Sequence, residues 1–205
     1  MADMRPFRDA VTLWASGRGS ADPAYELAEL LTVRGAVLVE GPSDVSAVEA
    51  LAAGYGRDLE QEGICVLAMG GAMNVTRFID RLGPDGLDLQ LTGLCDERER
   101  GYYARAWARA GLAPDFFVCD VDLEDELIRA LGVERVTELI RQEGDFRPLQ
   151  TFQAQPAQRT RSPHQQLRRF IGTKKGRKIH YGRVLVEALP HERVPEPLRD
   201  LIDLI

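Results

Sequence analysis

The run Ala36-Val37-Leu38-Val39 passes directly into Glu40-Gly41-Pro42-Ser43-Asp44. Four apolar residues bounded by turn formers read as a short strand buried on both faces, the kind found inside parallel sheets. Such a strand ends at the rim of its sheet, where open α/β proteins gather their chemistry. Here the end is a glutamate, an unusual terminus for an apolar strand. Gly41 and Pro42 supply a turn, and Ser43 is the expected N-cap of the helix that follows. Asp44 then falls in the first turn of that helix, close to Glu40. Two carboxylates held together repel each other unless a cation lies between them, and a divalent metal is the simplest candidate.

The rest of the chain repeats the strand-then-helix alternation. Further strands are predicted over residues 64–69, 87–95 and 115–119. Helices are predicted over 7–15, 23–34, 44–55, 74–82, 97–110, 120–131 and 134–143. In two of them, Val45, Val48, Leu51 and Ala52, and then Val75, Phe78, Ile79 and Leu82, share one face. This order predicts an α/β fold: a mostly parallel four-stranded sheet with helices on both faces. Residues 146–163, rich in Gln, Pro and Arg, read as a loop, with short helices beyond it over 164–172, 179–189 and 198–205. The expected organisation is an N-terminal helical segment (1–34), the α/β domain (35–145), and a basic loop with C-terminal helices (146–205) packing on it.

A chain of 205 residues accommodates one domain. Its 28% charged fraction, set against 44% hydrophobic residues, excludes a disordered chain. The start carries Asp3, Arg5, Arg8 and Asp9 and no apolar h-region, and no run is long enough to span a membrane, so a cytoplasmic protein is expected. Cys65, Cys95 and Cys119 lie far apart, each in or beside a predicted strand. They read as small core residues in a reducing compartment, not as a disulfide framework or a zinc site.

The net charge of −6 conceals an asymmetry. Residues 151–183 contain no Asp or Glu and carry +9, which leaves −15 on the remainder. A basic block beside an acidic body suggests a polyanionic partner. Arg159, Arg161, Arg168, Arg169, Lys174, Lys175 and Arg177 are the candidate contacts to nucleic acid, DNA first and RNA as the alternative.

Carboxylates recur at the predicted strand ends: Glu40 and Asp44; Asp96, Glu97 and Glu99; then Asp120, Asp122, Glu124, Asp125 and Glu126. In a parallel sheet these ends lie along one edge. Hard oxygen ligands gathered there suit Mg2+ or Mn2+. The helix dipole alone accounts for Glu97, Asp125 and Glu126, but not for Glu40. His164, His180 and His191 show no ligand spacing. Ser43 has no histidine partner. Tyr102, Tyr103 and Trp107, at helical spacing, read as packing residues.

The Leu-Val-Glu-Gly-Pro-Ser-Asp opening, Met69-Gly70-Gly71 with Asn74 to follow, the strand ending in Asp96, and the later Asp122-Leu123-Glu124-Asp125-Glu126-Leu127 together resemble a TOPRIM domain. They are most similar to that of the overcoming-lysogenisation-defect (OLD) family nucleases, and Lys178-Ile179-His180-Tyr181-Gly182 is similar to that family's C-terminal lysine motif. The resemblance spans about residues 35 to 190. It implies a Rossmann-like TOPRIM fold and a Mg2+- or Mn2+-dependent endonuclease, a phosphodiesterase acting on DNA. Glu40, Asp44, Asp96, Glu99 and Glu124 would hold metal. Glu40, Asp44, Asp96 and Lys178 would be catalytic, with Lys174 or Lys175 as substitutes for Lys178. Gly70 and Gly71 would allow close backbone approach. Two departures stand out. TOPRIM domains present Asp-x-Asp at the third strand, and here Arg98 takes the second Asp position, with Glu99 one residue later as the available replacement. OLD nucleases also carry an ATPase domain, and this chain has no Gly-x-x-x-x-Gly-Lys-[Ser/Thr] loop. The chain is then expected to act alone, to borrow an ATPase in trans, or to serve as a catalytically weakened binding module.

Overall fold

The buried apolar run finds its place at the centre of a sheet. A computed structural model describes residues 3–205, the side chain of Lys175 excepted. Strands β1 (Gly35–Val39), β2 (Ile64–Ala68), β3 (Gln90–Asp96) and β4 (Phe116–Cys119) pair in the order β2-β1-β3-β4, wholly in parallel. All five residues of β1 are buried, as a strand covered on both faces requires. From β1 the chain moves outward to β2 on one side. From β3 it moves outward to β4 on the other. The winding therefore reverses between β1 and β3, and the crevice outside their carboxyl ends is where open α/β sheets bind ligands.

Helices cover both faces. On one, α1 (Arg5–Ala15), α2 (Asp22–Leu30), α4 (Val75–Leu82) and α5 (Arg100–Arg109) enclose Ala36, Leu38, Cys65 and Leu67. On the other, α3 (Pro42–Gly54), α6 (Leu123–Leu131), α7 (Val133–Gln142), α8 (Phe146–Ala154), α9 (Pro163–Gly172), α10 (Lys175–Glu187) and α11 (Glu196–Leu204) enclose Val37, Val39 and Val66. Alternate residues of β1 thus feed two cores, the period-two rule of a strand. Gly93 of β3 makes room for Tyr103 to lie against the sheet. A Cβ there would stand 2.8 Å from the tyrosine ring and 3.0 Å from the Leu38 carbonyl oxygen. The buried Tyr103 hydroxyl lies 3.2 and 3.1 Å from the carbonyl oxygens of Leu38 and Leu94, which accept its hydrogen bond.

Two sequence expectations are corrected. Residues 146–163 are not a loop throughout: α8 fills the first half, followed by a 3-10 turn, Pro156–Gln158. Pro148 falls in the first turn of α8, where its missing N–H forfeits no hydrogen bond, and Leu149 beneath it is fully buried. The helix predicted from residue 97 begins at Arg100, because residues 97–99 form a tight turn. All three cysteines are buried and free. Among the described residues, no helix is long and apolar enough to cross a membrane.

Candidate metal centre

Glu40 leaves β1 at the reversal point. Its carbonyl oxygen accepts hydrogen bonds from the amides of Gly70 (3.0 Å) and Gly71 (3.2 Å). These glycines have φ of +71° and +121°, the region that side chains disfavour, so the turn after β2 can fold back onto Glu40. Both amides are thereby spent on Glu40 rather than left for a substrate. The turn into α3 also departs from expectation. Gly41, not Ser43, is the N-cap, and Pro42 takes the first helical position. The Gly41 amide donates to Asp44 Oδ2 at 2.8 Å, and buried Ser43 directs its hydroxyl toward Asp44 Oδ1 at 3.4 Å.

Asp96 ends β3, the strand beside β1. The chain then turns tightly, with the Glu99 amide donating to the Asp96 carbonyl at 2.9 Å. That turn leaves Glu97 and Arg98 exposed and brings Glu99 back, half-buried. Carboxylate oxygens of Glu40, Asp96 and Glu99 lie within 4.8 Å of one another. The third acid of the cluster is thus Glu99, one residue beyond the position Arg98 occupies.

The cluster is electrostatically unbalanced. Burial, with the charges of Asp122, Glu99, Asp44 and Glu40, pushes the Asp96 carboxyl up to about 8. Burial and the charge of Glu40 push Glu99 up to about 7. Burial likewise raises Asp44, against the opposing pull of Lys178 and the Gly41 amide. Glu99 Oε2 and Glu124 Oε1 are buried without a hydrogen-bond partner, a costly condition for an acceptor. A cation among the oxygens of Glu40, Asp96 and Glu99 relieves their repulsion and the unpartnered Glu99 oxygen. An all-carboxylate donor set is the hard kind that Mg2+ and Mn2+ prefer, so the residues fit the metal.

The opposite wall of the cleft is Lys178, on α10. Its Nζ lies 3.3 Å from Glu124 Oε2. Burial works against the lysine's charge, and Glu124, Asp44 and Asp96 outweigh it, so its pKa rises. Helix α10 reaches this position because Gly182 seats it against α3: a Cβ at 182 would stand 2.8 Å from the Ser43 carbonyl oxygen. Glu40, Gly41, Asp44, Gly70, Gly71 and Lys178 line an open cleft of about 260 Å³.

Of the five acids expected to bind metal, the structure gathers three. Asp44 faces the Gly41 amide and Glu124 faces Lys178, each at the edge of the cluster. The basic segment divides. Arg168 Nε donates to Asp122 Oδ2 at 2.7 Å, and Arg177 Nε to Asp145 Oδ2 at 3.0 Å, so these two arginines pin α9 and α10 to the body. Arg161 bonds the Ala157 carbonyl. Arg159, Arg169 and Lys174 are exposed, and the Lys175 side chain lies outside the described residues. His164 pairs with Asp125 and His180 with Glu143, at 2.7 and 2.8 Å. Asp122 was not singled out as a site residue, yet it caps α6 by accepting from the Asp125 amide at 2.8 Å while it anchors Arg168. Its spacing, Asp three residues before another acid at a helix start, was the available signal.

Comparison with known proteins bears on the fold. Residues 15–97 match the family model described as overcoming lysogenization defect protein-like, TOPRIM domain. The C-terminal region of the Xanthomonas campestris pv. campestris OLD protein superposes with a TM-score of 0.65 at 25% identity, over 85% of this chain and 93% of that one. The C-terminal region of the Burkholderia pseudomallei OLD protein superposes at 0.64 with 21% identity, over 84% and 96%. Among curated proteins, none matches the chain. Residues 15–97 thus match an OLD-like TOPRIM domain, and the chain has the fold of the OLD C-terminal region.

Proposed function

We propose that this chain is a divalent-metal-dependent phosphodiesterase that cuts nucleic acid, DNA in the first instance. The observation that carries the reading is the convergence of Glu40, Asp96 and Glu99 at the sheet's reversal point, with Lys178 across the cleft. Glu40, Asp96 and Glu99 would hold the ion. A divalent cation bound there supplies an activated water and neutralises phosphate charge. Lys178 supplies a fixed positive charge for the phosphate oxygens, in a cleft where burial strengthens each interaction. Glu124 holds that lysine in place, and the charge of Asp44 favours its protonated form. The Gly70 and Gly71 amides lock the Glu40 backbone, so the carboxylate is presented without reorganisation. Exposed Arg159, Arg169 and Lys174 supply sequence-independent attraction for a polyanion.

Supercoiled plasmid incubated with Mg2+, Mn2+ or EDTA tests this, with Glu40→Ala as the paired control. Cutting that needs metal and disappears in the variant is expected. Intact plasmid with wild-type protein under every metal would refute a stand-alone phosphodiesterase. A second reading, a subunit that works with an ATPase in trans, draws on the fact that the matched structures are C-terminal regions of OLD proteins. Cutting that appears only when an ATPase partner and ATP are added distinguishes it.

A further inference from the structure

The two flanks of the cleft differ in chemistry. Lys178 and the basic segment stand on the α10 side. On the α4–α5 side the sequence shows no basic block, yet Arg77, Arg98 and Arg105 are exposed. Their neighbours Arg100 and Arg109 are paired, with Glu97 and Asp80. Arg77, Arg98 and Arg105 have no ion pair among the described residues. Two large apolar side chains share this rim: Met73 is 76% exposed and Tyr102 is 40% exposed.

Both spring from the backbone that carries the carboxylates. Met73 lies in the 3-10 turn Ala72–Asn74, three residues past Gly70, whose amide bonds the Glu40 carbonyl. Tyr102 lies in the first turn of α5, and its amide donates to the Glu99 carbonyl at 2.8 Å. The 3-10 turn packs on α5. Adjacent tyrosines have opposite fates: Tyr103 is fully buried, whereas Tyr102 faces solvent with the Arg105 guanidinium 5.2 Å from its ring centroid. Isolated apolar residues and solvated arginines are ordinary on a surface. Here an arginine-backed aromatic ring and an exposed thioether, with unpaired Arg98 and Arg105, adjoin the turns that carry Glu40 and Glu99.

We propose that this rim binds an unpaired nucleic-acid strand, with Tyr102 stacking on a base beside the cleft and Arg98 and Arg105 taking flanking phosphates. The proposal rests on the phosphodiesterase reading for the identity of the polyanion, although binding itself needs no cleavage. Exposed rings flanked by cations grip single strands because every unstacked base offers a π face and every linkage a charge. An intact duplex hides those faces, so single-stranded or frayed substrate is preferred.

The probe is a single-stranded DNA oligonucleotide containing 2-aminopurine, titrated with protein in EDTA so that nothing is cut. Wild-type protein and Tyr102→Phe are expected to quench the fluorescence. Tyr102→Ala is expected to bind roughly 5- to 150-fold more weakly, the loss of one base–aromatic stack, with the quench abolished. Arg98→Ala is expected to weaken binding and flatten its salt dependence. Glu40→Ala should bind and quench like wild type while cutting no plasmid. Quenching by a wild-type protein that never cuts would overturn the phosphodiesterase reading and leave the rim standing. Wild-type affinity and quench in Tyr102→Ala, or equal affinity for the matched duplex, would overturn the rim.

Discussion

Gly182→Ala probes how the lysine is held. A Cβ at position 182 would stand 2.8 Å from the Ser43 carbonyl oxygen and 3.6 Å from its carbonyl carbon. These are backbone atoms, so no rotamer change relieves the contact. Ordinary contact begins near 3.4 Å, and α10 must therefore retreat from α3 by about 0.6 Å. Overpacking of this kind costs about 1–3 kcal/mol, and replacing a mid-helix glycine returns about 0.5–1 kcal/mol. The expected net loss is about 0–2.5 kcal/mol. Lys178 lies four residues earlier on the same face of α10, so it moves with the helix. A misplacement of 1 Å can cost about 100-fold in rate, so a shift of about half that predicts roughly a tenfold loss of cutting. Denaturant melts and plasmid nicking at saturating Mn2+ read the two effects. An alanine variant as stable and as active as wild type would refute the claim that close α3–α10 packing positions Lys178.

Metal-free protein should be less stable at about pH 8 than at about pH 6. Asp96 and Glu99 titrate at about 8 and about 7 in the fold, against roughly 4 when unfolded. In this window the native state keeps protons that the unfolded state has lost, so stability falls as pH rises. Scanning calorimetry in EDTA reads the slope, Mn2+ should flatten it, and a melting temperature that climbs with pH contradicts the reasoning. Among the basic residues, Arg169→Ala should reduce the salt slope of nucleic-acid binding by about 0.7–0.9. Arg168→Ala should leave that slope unchanged and lower stability instead, because its partner is Asp122; equal slopes for the two variants would remove the distinction. Gly93→Ala should cost about 1–3 kcal/mol, since its methyl group meets the Tyr103 ring and the Leu38 carbonyl; an unchanged denaturation midpoint would contradict that packing.

The alternation of strands and helices and the first acids were legible because they are local. An apolar run with no polar interruption needs cover on both faces, and a Glu-Gly-Pro end after it marks a rim. The replacement of Arg98 by Glu99 was visible as an alternative, but choosing it required the turn from Asp96 to Glu99, a matter of backbone geometry. Ser43 lost the capping role because Asp44 can bond the Gly41 amide first, a competition that propensity does not rank. Residues 146–163 looked like a loop because proline breaks helices in general, whereas Pro148 falls where a helix tolerates it. The roles of Arg168 and Arg177 depend on partners 46 and 32 residues away, beyond any local pattern. Tyr102 was grouped with Tyr103 and Trp107 as packing, and helical spacing alone could not say which of two adjacent tyrosines faces the core.

If Glu40, Asp96 and Glu99 form one metal site with Arg98 outside it, Mn2+ binding depends on the three acids and not on the arginine. Electron paramagnetic resonance of free Mn2+ during titration measures this directly, with wild type, Glu40→Gln, Asp96→Asn, Glu99→Gln and Arg98→Ala compared. Wild type should bind, and each of the three carboxylate-to-amide variants should weaken binding at least about tenfold, the loss that even outer-shell partners produce. Arg98→Ala should bind as well as wild type or more tightly, since it removes a nearby cation. A wild-type protein that leaves Mn2+ free, or a Glu99→Gln variant that binds it undiminished, would rule out this three-carboxylate site.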